Sequence, residues 1–149
     1  MIGIQFEITN EYGSLLEKIL CNIQTGKYKW FMPYEEVFDT EGNFFFEEDF
    51  YNNLMFRELI KKRYYIVHLM LLGYQINKDI IHINNYDDYI SSSCEILISI
   101  IDSTEVRIFC KNETILKTIA ENAKKNMYNH IGYIYHKGDY KNFFEESLF

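Results

Sequence analysis

With 149 residues, 48% hydrophobic and 25% charged, the chain has the size of one domain. It can bury a core without a disulfide or metal staple. A net charge of −7 without a basic cluster excludes the counterion-displacing surface that nucleic acids and anionic membranes demand. The longest apolar stretch, residues 64–72, contains His68 and is far shorter than a bilayer-spanning helix.

The first residues alternate, with Ile2, Ile4, Phe6 and Ile8 set against Gly3, Gln5 and Glu7, which predicts a strand. They carry no basic region or cleavage site and do not read as a signal peptide. Thr9 or Asn10 is positioned to cap a helix whose apolar face is Tyr12, Leu15, Leu16, Ile19, Leu20 and Ile23, closed by Gly26. Residues 28–32 read as a strand that Pro33 ends or marks as an edge. Val37 and Phe38 continue into a second strand of a meander, Asp39 to Asn43 make a turn, and Phe44, Phe45 and Phe46 form a further short strand. Glu47, Glu48 and Asp49 suit the positive end of a helix, with Phe50, Leu54, Met55 and Leu59 as its buried side and Lys61, Lys62 and Arg63 at its far end.

Residues 64–72 are expected to be a buried strand and residues 73–81 a loop. Asn84 or Asn85 caps a short helix over residues 86–92. The stretch 94–111 is the organising element. Ile96, Leu97, Ile98, Ile100 and Ile101 form a nearly unbroken apolar run, the mark of a strand buried on both faces. Asp102 and Ser103 supply a turn, and Val106, Ile108 and Cys110 then alternate with Arg107, Phe109 and Lys111. Asn112 caps a helix over residues 113–128. Residues 131–135 form a last strand, and Asp139 caps a closing helix with Tyr140, Phe143, Phe144 and Leu148 inward.

This order predicts a single α+β domain over residues 1–149. It is a mixed β-sheet of about five to seven strands around the hairpin 94–111, packed by about four to five helices. The first half, through Leu72, approximates a split βαβ ordering.

Two stretches carry a resemblance. One runs from Ile4 to Gly13. The other runs from Tyr86 through Cys94-Glu-Ile-Leu97 and Asp102-Ser103 to Asn112. Together they resemble an uncharacterised bacterial family, a domain of unknown function found mainly in spore-forming Gram-positive bacteria. The resemblance implies a stand-alone cytoplasmic bacterial protein and brings no catalytic residue, cofactor or substrate.

The search for chemistry returns little. His68, His82, His130 and His136 form no HExxH or HxH pattern, so no metal or other cofactor is expected. His68 reads as a satisfied core histidine. His130, His136 and Asp139 are the one trio that could converge. Cys21, Cys94 and Cys110 form no CxxC pair and read as reduced core thiols of a cytosolic protein. No GxSxG elbow and no phosphate-cradling glycine loop occurs. Asp102 reads as a turn residue and the paired acids as helix-end or solubilising groups.

One surface stands out. Trp30, Tyr34, Glu35, Glu36, Asp39, Glu41, Glu47 and Glu48 combine aromatics with acids. Aromatics anchor a protein partner and acids steer a basic one. The competing explanation is an edge meander whose aromatics simply face the helices. The reading is therefore a non-catalytic cytoplasmic protein-binding domain, of regulatory or toxin-neutralising type, binding neither nucleic acid nor membrane. The alternative is a small enzyme or ligand-binding protein with a site assembled from distant His, Asp and Cys residues. Self-association through the aromatic edge is a third possibility.

Overall fold

A computed structural model describes residues 1–9 and 11–136. The strands are β1 (Gly3–Glu7), β2 (Tyr28–Phe38), β3 (Phe50–Tyr51), β4 (Tyr65–Gln75), β5 (Cys94–Ile101), β6 (Glu105–Cys110) and β7 (Asn129–Ile134). The helices are α1 (Leu15–Ile19), α2 (Asn53–Leu59), α3 (Tyr86–Ser91) and α4 (Glu113–Lys125). All seven strands join one sheet in the order β3-β2-β4-β5-β6-β1-β7. The α+β expectation and the central hairpin hold. The helix expected over residues 139–148 lies outside the described residues.

Every pairing is antiparallel, so the sheet is not mixed. The helical crossovers suggested parallel neighbours, and the strands they join do run the same way. Two of these crossovers, however, step over a single intervening antiparallel strand, and β1-α1-β2 steps over three strands. The path β3-α2-β4 straddles β2, and β6-α4-β7 straddles β1. One split crossover thus falls in the first half and a second closes the described chain.

The centre of the sheet is apolar on both sides. Ile96, Ile98 and Ile100 of β5 join the larger core with Leu16 and Ile19 of α1, Phe56 of α2 and Leu116, Ile119, Ala120 and Ala123 of α4. Cys94 and Leu97 join a smaller core with Tyr89 of α3, Tyr74 and Phe109. Helices cover one face and α3 with its preceding loop covers part of the other. The three-residue β5–β6 loop has positive φ at Asp102 (50°) and Ser103 (65°), as in a type I′ turn, and the Thr104 N–H bonds back to the Ile101 carbonyl at 3.2 Å.

Caps explain the helix boundaries. The Asn52, Asn85 and Asn112 side chains accept the N–H groups of Met55, Asp88 and both Thr114 and Ile115, satisfying donors that helix geometry leaves open. The first helix does not start from Thr9 or Asn10. It begins after Ser14, whose hydroxyl donates to the carbonyls of Lys61 (2.9 Å) and Lys62 (2.7 Å) at the end of α2. Buried Asn122 of α4 donates to the carbonyls of Ile19 (2.9 Å) and Cys21 (2.7 Å), closing α1 from the far side.

Three boundaries differ from expectation. The segments 28–32 and 37–38 are one strand, β2, running through Pro33. Between Phe31 and Tyr34, β2 carries one residue more than β4, a bulge that accommodates the missing N–H of proline. Residues 73–75 continue β4, and Phe44 makes only an isolated bridge to Phe38. Glu47, Glu48 and Asp49 do not open a helix, because β3 intervenes and Asn52 caps α2.

Two aromatic anchors tie the layers together. Trp30 is fully buried, stacks on Phe56 of α2 (centroids 4.3 Å apart) and donates from Nε1 to the Thr25 carbonyl at 3.2 Å. Its ring lies over Gly73, where a Cβ would come within 2.9 Å of Cζ3. The Tyr64 hydroxyl accepts from the Leu16 N–H (3.0 Å) and donates to the Ile60 carbonyl (2.8 Å), bridging the start of α1 and the end of α2. Two variants test these anchors by urea unfolding. Tyr64→Phe strands a buried N–H and is expected to cost about 1–3 kcal/mol. Gly73→Ala forces the indole aside and is expected to cost about 1–3 kcal/mol. Midpoints equal to wild type would contradict both assignments.

Candidate functional site

The loop after β2 is built to hold its acids outward. The Asp39 carboxylate accepts from the N–H groups of Glu41 and Asn43 at 2.9 Å each, and Gly42 takes φ +85°. Phe44 returns to bridge Phe38, with ring centroids 5.3 Å apart. Phe45 packs on Tyr64 and buried Phe46 on Tyr51. The Tyr51 hydroxyl accepts from the N–H groups of Glu47 (3.0 Å) and Glu48 (2.8 Å). With the backbone pinned this way, both carboxylates stay exposed.

Opposite this loop lies α2, whose apolar stripe is not where periodicity put it. Phe56 is its buried residue, followed by Ile60 at its cap. Phe50 (42% exposed), Leu54 (67%) and Met55 (51%) were expected inside and face outward. Seven residues make barely two turns, and the stack of Trp30 on Phe56 decides which side turns inward. Between loop and helix runs a groove of about 770 Å³, with Phe44, Leu54 and Met55 as apolar walls. Asp39, Glu47, Glu48 and Glu58 stand around it with Lys62. Glu58 also pairs with Lys61 at 3.4 Å. A smaller groove of about 380 Å³ adjoins it, lined by Pro33, Tyr34, Glu35, Glu47, Glu48 and Asp49.

The structure thus brings together much of the surface expected from sequence. Asp39, Glu47 and Glu48 border the larger groove, and Tyr34 and Glu35 border the smaller. Tyr34 donates its hydroxyl to the Glu36 carboxylate. The Glu35 carboxylate accepts from the Val37 N–H at 3.1 Å, and burial pushes its pKa up. Glu41 sits exposed on the turn. Trp30 does not belong to this surface, because it is 0% exposed. Its place is taken by Phe44, Leu54 and Met55. The signal for them was present in the sequence. Leu54, Met55 and Phe56 are three adjacent apolar residues on a helix too short to bury all of them.

Other candidates sit elsewhere. His68 lies on β4, but its ring reaches the surface beside the hairpin turn rather than the core. Its Nδ1 accepts the Asp102 N–H (3.3 Å), and Nε2 lies 3.4 Å from the Asp102 carboxylate. His130 pairs with Glu7 at 2.9 Å. Asp139 is outside the described residues, and no three His, Cys, Asp or Glu side chains among the described residues are grouped to hold a metal ion. Among the described residues no helix is long and apolar enough to cross a membrane.

The thiols divide. Cys21 is exposed, contrary to the core placement expected of it, because α1 ends before reaching it. Cys94 and Cys110 are buried, and burial pushes their pKa values up to about 12 and about 11. The folded chain therefore keeps two protons that the unfolded chain loses above about pH 9, so stability is full below that pH and falls as pH rises toward 11–12. Urea midpoints are expected to drop between about pH 9 and about pH 12, and Cys94→Ala with Cys110→Ala to shrink the drop. A thiol reagent at neutral pH should label Cys21 quickly and the other two only at the rate of opening. Rapid labelling of all three would refute the burial.

The comparisons with known proteins fit the expected resemblance. Residues 1–145 match the family model described as "Protein of unknown function (DUF2691)". The chain is 29% identical over 143 residues to "Uncharacterized protein YncE" of Bacillus subtilis (strain 168), covering 92% of this chain and 94% of that protein. No solved structure matches significantly. With the family model spanning residues 1–145, the chain belongs to the DUF2691 family.

Proposed function

We propose that the protein is a non-catalytic binding protein of the bacterial cytoplasm, and that its acidic groove takes a basic, apolar-tipped segment of another protein. One observation carries this reading. Phe44, Leu54 and Met55, each more than half exposed, converge on a single groove bordered by Asp39, Glu47 and Glu48. A monomer gains nothing from leaving three large apolar side chains together in water, and contiguous apolar surface marks interaction sites. The carboxylates would raise the encounter rate of a basic partner, while the apolar walls would supply most of the retained affinity. Regulatory and toxin-neutralising proteins both work by such contacts.

The test is capture from a lysate of the source organism on the immobilised protein, with Leu54→Ser/Met55→Ser as the comparison. Both positions are exposed, so that variant is expected to remain folded. A basic partner should be retained by wild type, released by salt, and retained at least about tenfold less well by the variant, roughly 1.4 kcal/mol. Charge reversal at Glu47 and Glu48 should slow association more than it speeds dissociation. Absence of any salt-sensitive partner, or a partner indifferent to the double variant, would end this proposal.

A further inference from the structure

We propose that the protein forms a two-fold homodimer in which β7 pairs antiparallel with β7 of a second copy, joining two seven-stranded sheets edge to edge. The two edges of the sheet are treated differently. β3 is two residues long and follows directly on Glu47, Glu48 and Asp49, and shortness and charge are standard protection for an edge. β7 is six residues long, and from Asn129 through Tyr135 it contains no Lys, Arg, Asp, Glu or Pro.

The register tells which backbone groups are available. Gly3 pairs with Ile134 and Gln5 with Gly132, and the Ile134 carbonyl accepts the Ile2 N–H at 2.8 Å. Alternation along an antiparallel ladder then turns the N–H and C=O of Ile131 and Tyr133 away from β1. Those groups have no partner among the described residues. An outward row of this kind is a template for another strand.

The occupant is argued from the strand itself. An uncharged strand set antiparallel to its own copy brings no like charges together, although each chain carries a net charge of −7. The acids of the groove stand near the opposite edge of the sheet, beside β2 and β3. The left-handed residue His130 (φ 53°) bends the start of β7, so the straight part of the edge begins at Ile131. Pairing centred on Tyr133 sets Ile131 of one copy opposite Tyr135 of the other and covers Tyr135, now 58% exposed. The Ile131 and Tyr133 side chains already pack partly on the larger core, so the outward backbone is held in place before any encounter.

Sedimentation equilibrium of the full chain, from about 1 to about 100 µM, tests this. The expected species at the upper end has twice the 18.0 kDa chain mass. Tyr135→Lys changes an exposed residue, should leave the fold intact, and should raise the dimer dissociation constant at least tenfold. Amide exchange at Ile131 and Tyr133 should slow as concentration rises. Three results would overturn the proposal. They are an 18.0 kDa species throughout, a dimer unaffected by Tyr135→Lys whose Ile131 and Tyr133 amides exchange freely, and a monomer in which those amides are protected by the chain itself.

Discussion

The constraint on which this structure depends is that β5 is apolar on both faces. A strand carrying Ile96, Ile98 and Ile100 on one side and Leu97 on the other cannot lie on the surface of a one-sided sheet. It demands cover above and below, and the remaining elements can be read as the means of providing it. Three helices, α1, α2 and α4, build the larger layer. The segment between β4 and β5, including α3, provides cover on the other face. Burial of this kind contributes about 25 cal/mol per Å² of apolar surface, which is why the centre tolerates so few polar atoms. Ser99 is the one buried polar residue of β5.

Around that centre the layers are held in register by directed contacts rather than by apolar area alone. Hydrophobic contact is not directional, so it cannot by itself fix how three helices sit on a sheet. Tyr64 fixes α1 against α2 through one hydroxyl, Asn122 fixes α1 against α4 through one amide, and Ser14 closes the end of α2. Each uses a helix end, where backbone groups are left over. α1 has only five residues and α2 only seven, too short to be stable alone. Such helices exist because their ends are claimed by neighbours.

How much of this was legible follows from whether the signal is local. The hairpin 94–111, the caps at Asn85 and Asn112 and the long α4 were readable because turn chemistry, capping and periodicity act over a few residues. β2 reads as two strands in sequence because Pro33 is a strand breaker by local rules, and only the pairing with β4 shows that it occupies a bulge. The outward face of α2 was misjudged because Trp30 and Gly73, distant in sequence, determine which of three adjacent apolar residues goes inside. The acids of the groove were legible as a cluster, whereas its apolar walls were not. His68 and Cys21 were placed in the core by hydrophobic surroundings, and only the hairpin turn beside one and the early end of α1 before the other show why each reaches water.

The position of β1 has a consequence for how the chain matures. β1 is inserted between β6 and β7, so residues 3–7 are made about a hundred residues or more ahead of the segments that flank them. Until β6 and β7 are made they have no neighbour to pair with, and this half of the sheet closes only then. Closure over so long a stretch of chain is entropically expensive and slows folding. Until then the apolar, alternating segment Gly3–Glu7 lacks its partners, and Ile4 and Phe6 face water instead of the core they later enter.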